Sequence, residues 1–350
     1  MRNLIVEGDL RNITHSGLDW SSFAGKTILI SGANGFLPAY MVETLLYLNE
    51  KGTGEIVKVI GIVRSKEKAQ ARFLGYSDRP DLRLIEQDIC HPISITERVD
   101  YIIHAASQAS PKYYGKDPVG TLSPNILGTY NLLEFARAKK IDCFLFFSSG
   151  EVYGEVKEYQ IPTEEDSYGY INPVDVRSCY AEAKRMGETM CISWHHQYGV
   201  PTKIVRPFHT YGPGMSLDDG RVYADFVSDV VHNRDIVMKS DGTARRAFCY
   251  LADATIGFFQ VLLQGKDGQA YNVGNDKAEI SILELANLLV SLFPDKGLKV
   301  IRQERGDQPG YLKSKITRNC PEISKMRGLG WEPKTSLQDG FRKTIESYLS

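Results

Sequence analysis

Apolar runs of strand length alternate with segments of helical periodicity over the first part of the chain. The apolar runs, which predict buried strands, lie at 27–30, 57–63, 82–85, 101–104, 144–147 and 203–206. Helical spacing fills the gaps, at 40–48, at 125–139, and in a segment that continues from Lys184 to about Tyr198. Strands that alternate with helices form βαβ units. The pattern therefore predicts an α/β fold with a doubly wound parallel sheet of the Rossmann type.

The pattern changes after Tyr211, where loops rich in glycine and aspartate appear. Helices are predicted at 222–232 and 282–293, and short strands at 236–239 and 270–273. We expect an N-terminal extension at 1–24 and a dinucleotide-binding domain at 25–210. The remainder, 211–350, is expected to form mainly a smaller substrate-binding lobe over the carboxyl edge of the sheet, with some chain returning to the sheet.

Composition narrows the class of protein. The chain has 350 residues, 42% hydrophobic and 24% charged, with a net charge of −1. This balance gives no basis for a nucleic-acid partner or an anionic membrane. No basic-then-apolar leader opens the chain, and no apolar run approaches about 18 residues, so neither a secretory signal nor a membrane span is expected. The six cysteines are scattered without a CxxC pair, which favours a cytoplasmic protein without a structural metal.

A glycine-rich turn follows the first predicted strand and opens the first predicted helix. Its sequence is Ser31-Gly32-Ala33-Asn34-Gly35-Phe36-Leu37-Pro38. Glycines let the backbone approach a pyrophosphate, and the helix N-terminus supplies aligned N–H groups with a partial positive charge. Pro38 is compatible with such a turn if it lies in the first helical turn. The position after a strand predicts that this turn binds a dinucleotide.

The end of the second strand indicates which dinucleotide is bound. A carboxylate there would bind the ribose hydroxyls of NAD, but this chain has Arg64-Ser65-Lys66. Those side chains can hold a 2′-phosphate, as in NADP, or form a solvated basic turn. Asp88 and Ile89 follow the third strand, where Asp88 can bond the adenine amine.

Tyr180 and Lys184 are the principal catalytic candidates. Their spacing places both side chains on one helical face. An ammonium near a phenol favours the phenolate, so we expect a lowered pKa for Tyr180 and a general base usable near neutral pH. Ser149 closes a buried strand and can donate a hydrogen bond to the same substrate oxygen. Glu151 lies two residues further on, where a carboxylate can remove a carbon-bound proton beside a ketone.

Four arginines form a further candidate group: Arg206, Arg221, Arg245 and Arg246. Arginine offers paired donors to diphosphate oxygens, so as a group they suit a nucleoside diphosphate. Any one of them alone is as readily explained as a surface charge.

Together these residues resemble the extended short-chain dehydrogenase/reductase family that acts on nucleotide sugars, and the UDP-glucuronate decarboxylases are the most similar subgroup. The likeness runs from about Lys26 to Leu349. It is carried by the segments His104-Ala105-Ala106-Ser107-Gln108-Ala109-Ser110-Pro111, Arg177-Ser178-Cys179-Tyr180, Tyr211-Gly212-Pro213, Asp218-Asp219-Gly220-Arg221-Val222 and Gly330-Trp331-Glu332-Pro333. The dTDP-glucose 4,6-dehydratases and nucleotide-sugar 4-epimerases are more distant relatives.

The resemblance implies bound NAD (or NADP), a nucleoside-diphosphate sugar as substrate, and oxidation of the hexose at C4. It also implies a homodimer through a four-helix bundle built from the helices at 125–139 and 180–198. The catalytic residues implied are Ser149, Glu151, Tyr180 and Lys184. The cofactor contacts implied are Gly32, Asn34, Gly35, Phe36, Leu37, Arg64, Asp88, Ile89, Ala105, Ala106, Ser107, Tyr180, Lys184 and Pro207. The substrate contacts implied are Ser110, Ser149, Gly150, Arg177, His209, Arg221 and Arg246.

Three positions depart from the family pattern. Gly150 stands where the 4,6-dehydratases carry an aspartic acid that protonates the leaving hydroxyl, which argues against simple dehydration. His209 stands where an asparagine is usual beneath the sugar diphosphate. Asn319-Cys320-Pro321 replaces an Arg-Lys-Pro of the decarboxylases, with Arg318 one residue away. An arginine there would hold the substrate carboxylate, so its absence argues against decarboxylation.

Three functional hypotheses follow. The leading one is a nucleotide-sugar lyase or epimerase that works through a 4-keto intermediate, with decarboxylation of UDP-glucuronate as a specialised form. An NADPH-consuming 4-ketoreductase is the second, which the Arg64-Ser65-Lys66 turn would suit. A non-catalytic dinucleotide sensor is the third, and the intact Ser149, Tyr180 and Lys184 disfavour it.

Overall fold

A computed structural model describes residues 2–52, 54–76, 79–303 and 316–349. The strands, in chain order, are β1 (Thr27–Ser31), β2 (Lys58–Val63), β3 (Leu82–Glu86), β4 (Tyr101–His104), β5 (Cys143–Phe147), β6 (Thr202–Pro207), β7 (His209–Tyr211), β8 (Ile236–Met238), β9 (Arg245–Tyr250), β10 (Gln269–Val273), β11 (Glu279–Ser281), β12 (Val300–Arg302) and β13 (Arg318–Asn319). The α-helices are α1 (Leu4–Thr14), α2 (Phe36–Glu50), α3 (Lys66–Arg72), α4 (Pro118–Lys139), α5 (Cys179–Tyr198), α6 (Val222–Val231), α7 (Leu251–Gln264), α8 (Ile282–Ser291), α9 (Ser324–Arg327) and α10 (Leu337–Glu346).

Seven strands form one parallel sheet in the order β10-β6-β5-β4-β1-β2-β3. The chain runs outward from β1 to β3, then returns to β4 beside β1 and runs outward the other way. The strand order therefore reverses between β1 and β4, where the carboxyl edge of such a sheet opens a crevice for ligands. The predicted α/β fold with a Rossmann-type sheet is confirmed.

Alternating strand residues bury against helices on both faces of the sheet. Ile28 and Ile30 of β1 pack with α2 and with Phe258 of α7, whereas Leu29 packs with Leu132 and its neighbours on α4. Side chains along a strand point to opposite faces, so a strand covered on both sides is apolar throughout. This accounts for the continuous apolar runs from which the strands were predicted.

The chain beyond the sheet strand β6 forms a second core. It contains Tyr211, Phe226, Phe248, Leu285 and Phe341, which come from β7, α6, β9, α8 and α10. The strand predicted at 270–273 belongs instead to the main sheet, since β10 pairs in parallel with β6. It is the part of the chain that returns to the sheet after the lobe has begun.

The N-terminal residues contain a helix that the sequence pattern did not identify. Asn3 caps α1 by accepting hydrogen bonds from the backbone N–H groups of Ile5 and Val6. Asp9, Leu10 and Ile13 are its buried residues. The spacing of Val6, Leu10 and Ile13 is helical and was the available signal. Among the described residues, no helix combines the length and hydropathy that a bilayer crossing requires.

Candidate active site

A cavity of about 380 Å³ opens at the carboxyl edge of the sheet. Its walls come from the turns after β1, β2, β4, β5 and β6, together with β7 and the loop before α6. The predicted site residues that line it are Gly35, Phe36, Leu37, Arg64, Ala105, Ser107, Ser110, Ser149, Gly150, Glu151, Tyr180, Lys184, Pro207, His209 and Arg221. The structure thus brings together predicted residues that lie far apart in the sequence, from Gly35 to Arg221.

The glycine-rich turn is packed tightly against the end of β4. Gly32 has a φ of +68°, and a Cβ atom at Gly32 would lie 2.7 Å from the Cα of Ala106. Ser31 Oγ accepts hydrogen bonds from the N–H groups of Ala105 and Ala106, each at 3.2 Å. Gly35 is the N-cap of α2 with no side chain to cap the helix. A backbone this exposed at a helix N-terminus suits a pyrophosphate.

The remaining cofactor candidates lie around this turn. Pro38 falls in the first turn of α2, where its missing N–H costs no hydrogen bond. Asp88 accepts a hydrogen bond from the N–H of Cys90 at 2.9 Å, and this contact lowers the pKa of Asp88. Ser65 caps α3 by accepting a hydrogen bond from the N–H of Lys68. Among Arg64, Ser65 and Lys66, only Arg64 lines the cavity. Five of the predicted cofactor contacts do not line the cavity: Gly32, Asn34, Asp88, Ile89 and Ala106.

Three polar atoms in the cavity wall have no partner among the described residues. They are Ser107 Oγ, His209 Nδ1 and Asn319 Oδ1, all buried. A buried polar atom without a hydrogen bond is costly, so atoms of this kind indicate where a ligand supplies the missing partner. Ser107 lies on the side of the glycine-rich turn, and His209 and Asn319 lie on the lobe side. The residues present therefore fit a dinucleotide on one side and a second polar ligand on the other.

Tyr180 and Lys184 face the cavity from the first turns of α5. The Lys184 Nζ lies 5.8 Å from the centre of the Tyr180 ring and donates to the Phe147 carbonyl at 2.5 Å. Burial lowers the pKa of Lys184 to about 7, with Glu188 opposing the change. Burial also raises the pKa of Tyr180, although Ser149 and Arg221 act against it. The sequence prediction of a lowered pKa for Tyr180 is wrong, because desolvation of the phenol outweighs the effect of the nearby charges.

Tyr114 is a site residue that the sequence did not reveal. Its ring stacks on Tyr180, with centroids 5.3 Å apart and planes 14° apart. Its hydroxyl donates to the carbonyl of Ala109 at 3.1 Å. The two buried rings form an apolar wall on one side of the phenol. No spacing in the sequence connects Tyr114 with α5, because the contact is made across the fold.

Ser149 and Glu151 are fixed by a short 3₁₀ turn, Gly150–Tyr153, at the end of β5. Ser149 caps this turn, since its Oγ accepts from the N–H of Glu151 at 3.2 Å. The Glu151 carboxylate lies 3.7 Å from an Arg177 nitrogen, and its side chain keeps 29% of its exposure. Arg177 therefore contacts the Glu151 carboxylate rather than lining the cavity itself. Glu151 and Tyr180 line the same cavity.

The four candidate arginines do not form one group. Arg206 is 2% exposed and forms an ion pair with Glu188 at 2.6 Å. Arg245 pairs with Glu279 and Glu284 away from the cavity. Arg206 and Arg245 therefore do not belong to the group that suits a nucleoside diphosphate. Arg221 does line the cavity, and Arg246 lies behind its wall, where its guanidinium donates to the carbonyls of residues 245, 316 and 317.

The lobe side of the cavity carries the neutral side chains of His209 and Asn319 beside the charged Arg221. His209 packs edge-on against Phe248, with ring centroids 5.7 Å apart. Burial, with Arg246 and Arg221 nearby, holds the pKa of His209 well below its usual value, so the ring is neutral. Ser110 Oγ donates to the Asp219 carbonyl, which ties the β4 turn to the loop that carries Arg221. Arg318, next to Asn319, is bound by Glu279 at 2.6 Å and by Glu158 at 2.7 Å.

Comparisons with known proteins agree with this geometry. Residues 28–274 match the NAD dependent epimerase/dehydratase family. The chain is 36% identical to UDP-glucuronic acid decarboxylase 3 of Arabidopsis thaliana, over 92% of this chain and 88% of the plant protein. The fold is shared with UDP-glucose 4-epimerase of Thermotoga maritima, with a TM-score of 0.77 and 24% identity over 92% of this chain and 98% of that one. It is also shared with dTDP-glucose 4,6-dehydratase of Bacillus anthracis, with a TM-score of 0.75 and 19% identity over 93% and 96%.

Proposed function

The chain belongs to the NAD-dependent epimerase/dehydratase family, and on that premise we propose that it oxidises a neutral nucleoside-diphosphate hexose at C4 and processes the resulting 4-ketone. One observation carries the proposal. Ser149, Tyr180 and Lys184 meet at the carboxyl edge of the sheet, in a cavity whose opposite wall presents unpartnered neutral groups. A sugar fits between a general base on one wall and hydrogen-bonding groups on the other.

The oxidation step uses the residues of α5 and the β5 turn. Bound NAD supplies hydride acceptance and return. Tyr180 takes the proton of the C4 hydroxyl, and Ser149 donates a hydrogen bond to the same oxygen. The Lys184 ammonium and Arg221 favour the phenolate form that this proton transfer needs, against the burial that raises the pKa of Tyr180.

The fate of the ketone depends on Glu151. A C4 ketone acidifies the proton on C5, and the Glu151 carboxylate faces the cavity where a base for that proton is needed. Removal of that proton serves inversion at C5 or elimination of the C6 hydroxyl. Gly150 provides no acid for the leaving hydroxyl, which favours inversion over elimination among these outcomes.

A neutral hexose is favoured over a uronic acid by the groups around Asn319. Arg318 is engaged by Glu279 and Glu158, so its guanidinium is not offered to a substrate carboxylate. Asn319 lines the cavity with an uncharged amide. A carboxylate bound there would lose its solvation without gaining a charged partner from Asn319 or Arg318, and this is costly in a buried site.

Decarboxylation of UDP-glucuronate is the second candidate, because the chain is 36% identical to a plant UDP-glucuronic acid decarboxylase over 92% of its length. The two candidates are separated by incubating the purified enzyme with UDP-glucuronate in parallel with neutral UDP-, dTDP-, CDP- and GDP-hexoses. Products are then identified by mass. Asn319→Arg is the matched variant, since it restores the charged group at the position where the decarboxylases carry arginine.

The expected result is conversion of one neutral nucleotide hexose, with UDP-glucuronate left intact. In Asn319→Arg the relative affinity for UDP-glucuronate should rise about tenfold, the effect of one charge-assisted hydrogen bond. Release of carbon dioxide with formation of UDP-xylose by the unaltered enzyme would contradict the preference and support decarboxylation. Stoichiometric consumption of NADPH would instead identify a 4-ketoreductase, with Arg64 as a contact for the 2′-phosphate.

We further propose a homodimer and a cytoplasmic location. Support for the dimer comes from apolar side chains that α4 and α5 expose, among them Leu127 at 51%, Tyr130 at 49% and Met186 at 48%. Helices of two subunits that pack through these residues would form a four-helix bundle. The cytoplasmic location is supported by the six cysteines, all of which are free thiols.

A further inference from the structure

Glu188 occupies the same face of α5 as Tyr180 and Lys184, one further turn along the helix. The three residues follow at intervals of four, so their side chains lie in one row beneath the carboxyl edge of the sheet. Tyr180 and Lys184 line the cavity, whereas Glu188 lies under its floor with 12% of its side chain exposed. A carboxylate at this depth requires partners of its own.

Its partners belong to the two strands that end at the reaction centre. Ser148 Oγ donates to Glu188 Oε1 at 2.5 Å, and Arg206 Nε donates to the same oxygen at 2.8 Å. A second Arg206 nitrogen donates to Glu188 Oε2 at 2.6 Å. Ser148 immediately precedes Ser149, and its own N–H donates to the Val205 carbonyl at 2.8 Å. Glu188 therefore joins α5 to the ends of β5 and β6.

Arg206 extends the contact into a buried network. Its remaining donors reach the Tyr153 hydroxyl at 2.8 Å and the Glu165 carbonyl at 2.7 Å. Tyr153 in turn donates to Asn272 Oδ1 at 2.6 Å. Every group in this network has a fixed partner, so the Glu188 carboxylate is held in one orientation.

The charged and titratable groups around the Lys184 ammonium come from several elements. Tyr180, Glu188 and Cys191 lie on α5, and His104 lies on β4. His104 is buried between Ser31 and Thr129, and burial lowers its pKa to about 3, so it carries no charge. Burial raises the pKa of the Cys191 thiol, which is therefore neutral as well. Glu188 is thus the acidic residue of this group that raises the pKa of Lys184 against the effect of burial.

We propose that Glu188 is a positioning residue of the reaction centre, which fixes the Ser148–Ser149 strand end and keeps Lys184 protonated. Without its carboxylate, the buried ammonium has no negative partner and the adjacent Arg206 charge is uncompensated. Lys184 then loses its proton at lower pH. A neutral Lys184 no longer favours the Tyr180 phenolate, so the range of pH in which the pair works becomes narrower.

The test compares Glu188→Gln with Glu182→Gln, a matched change on the same helix. Glu182 pairs with Arg185 at 3.7 Å and keeps 36% of its side chain exposed. The pH dependence of kcat/KM is measured for both. In Glu188→Gln the alkaline limit should fall by about one pH unit, a loss of about tenfold in activity above that limit. Glu182→Gln should reproduce the unaltered profile.

A second pair of variants separates the two roles of Glu188. Ser148→Ala removes the contact with the strand end and leaves the carboxylate, so kcat should fall without movement of the alkaline limit. If Glu188→Gln does not fold, the double variant Glu188→Gln with Arg206→Met is measured instead, because it leaves no uncompensated buried charge. Its alkaline limit should also fall, by less than the fall expected for Glu188→Gln alone. A Glu188→Gln profile that coincides with the unaltered one, or an equal movement in Glu182→Gln, would overturn the proposal.

The proposal rests on the proposed function in the measurements of kcat and kcat/KM, because these need a substrate that the enzyme converts. Ionisation of Tyr180 is followed without substrate, from tyrosinate absorbance in the enzyme minus that in Tyr180→Phe. Glu188→Gln should move this ionisation to higher pH. An unmoved ionisation would refute the role of Glu188 even if the substrate has been assigned wrongly, and a moved one would support it in the absence of any turnover.

Discussion

At the scale of single residues, the site places a phenol in an environment that opposes its ionisation. Tyr180 is enclosed by Tyr114 on one side and by the sheet edge on another, and burial raises its pKa. Ser149 and Arg221 act in the opposite sense. The pKa of the phenol therefore depends on a few neighbours, and each neighbour is a point at which the proposed activity can be changed.

Tyr180→Phe should abolish oxidation while leaving the cofactor bound, because only the phenol oxygen is removed. A loss of about a hundredfold or more in turnover is expected for removal of a general base. Tyr114→Phe is the matched control, since it removes a neighbouring buried hydroxyl that is bound to the Ala109 carbonyl and not aimed at a substrate. Turnover in Tyr180→Phe comparable to that of the control would remove Tyr180 from the mechanism.

Much of this site was predictable from sequence, and what was not has a physical cause. Ser149, Glu151, Tyr180 and Lys184 lie at the ends of elements, where the strand and helix patterns already specify which side chains face the crevice. Arg206 and Arg221 look alike in sequence, yet one is buried against Glu188 and the other lines the cavity. Which arginine pairs with a buried acid depends on contacts between segments that are distant in the sequence, and the spacing of residues along the chain does not predict those contacts.

At the scale of elements, the main sheet followed from local pattern because its central strands β1, β4, β5 and β6 are buried on both faces and have apolar residues at their centres. The lobe was less predictable, since its strands are short and β10 leaves it to join β6. Helix α1 was missed although Val6, Leu10 and Ile13 have helical spacing. It nevertheless packs against the molecule through Asp9, which accepts hydrogen bonds from Tyr250 at 2.7 Å and from Tyr40 at 3.2 Å.

Asp9 gives α1 a dependence on pH. Burial raises its pKa to about 6 in the folded protein, from an ordinary value of 3.8. The folded state thus prefers the protonated acid, and its stability falls as pH rises from about 4 through about 6. The difference corresponds to about 3 kcal/mol at neutral pH. Asp9→Asn should keep an acceptor for both tyrosines and remove this cost, so it should raise the Tm at pH 7 and not at pH 4.

The measurement is thermal unfolding of both proteins between pH 4 and pH 7. Glu7→Gln on the same helix is the matched control, since Glu7 keeps 37% of its side chain exposed. Its effect on Tm should not vary over that range. If the Tm difference between Asp9→Asn and the unaltered enzyme is the same at every pH, the pKa of Asp9 is not raised in the folded protein.

At the scale of the whole molecule, α4 and α5 are the helices through which the proposed dimer would form. The two helices pack side by side on one face of the sheet, and α5 carries Tyr180, Lys184 and Glu188. A second subunit that covers their exposed apolar residues would also restrain the helix on which the catalytic row is mounted. The proposed dimer would therefore protect the geometry of the site as well as bury apolar surface.

Leu127→Glu should separate the proposed dimer, because a carboxylate would be buried at the centre of the helix bundle without a partner. The molecular mass from light scattering should fall to that of one chain. Val174→Glu is the matched control, since Val174 is 89% exposed and lies outside α4 and α5. A dimer that persists in Leu127→Glu at the same concentration would place the interface elsewhere.

The central claim is that the enzyme withdraws hydrogen from C4 of a nucleotide hexose and returns it within one catalytic cycle. The most direct measurement follows deuterium placed at C4 of the hexose that the enzyme converts. We predict that the product retains the deuterium, with no net reduction of NAD and no requirement for added NADPH. The account would be contradicted if, in a single turnover, the deuterium remained at C4 without ever passing to the bound cofactor. It would also be contradicted if product formed only as NADPH was consumed.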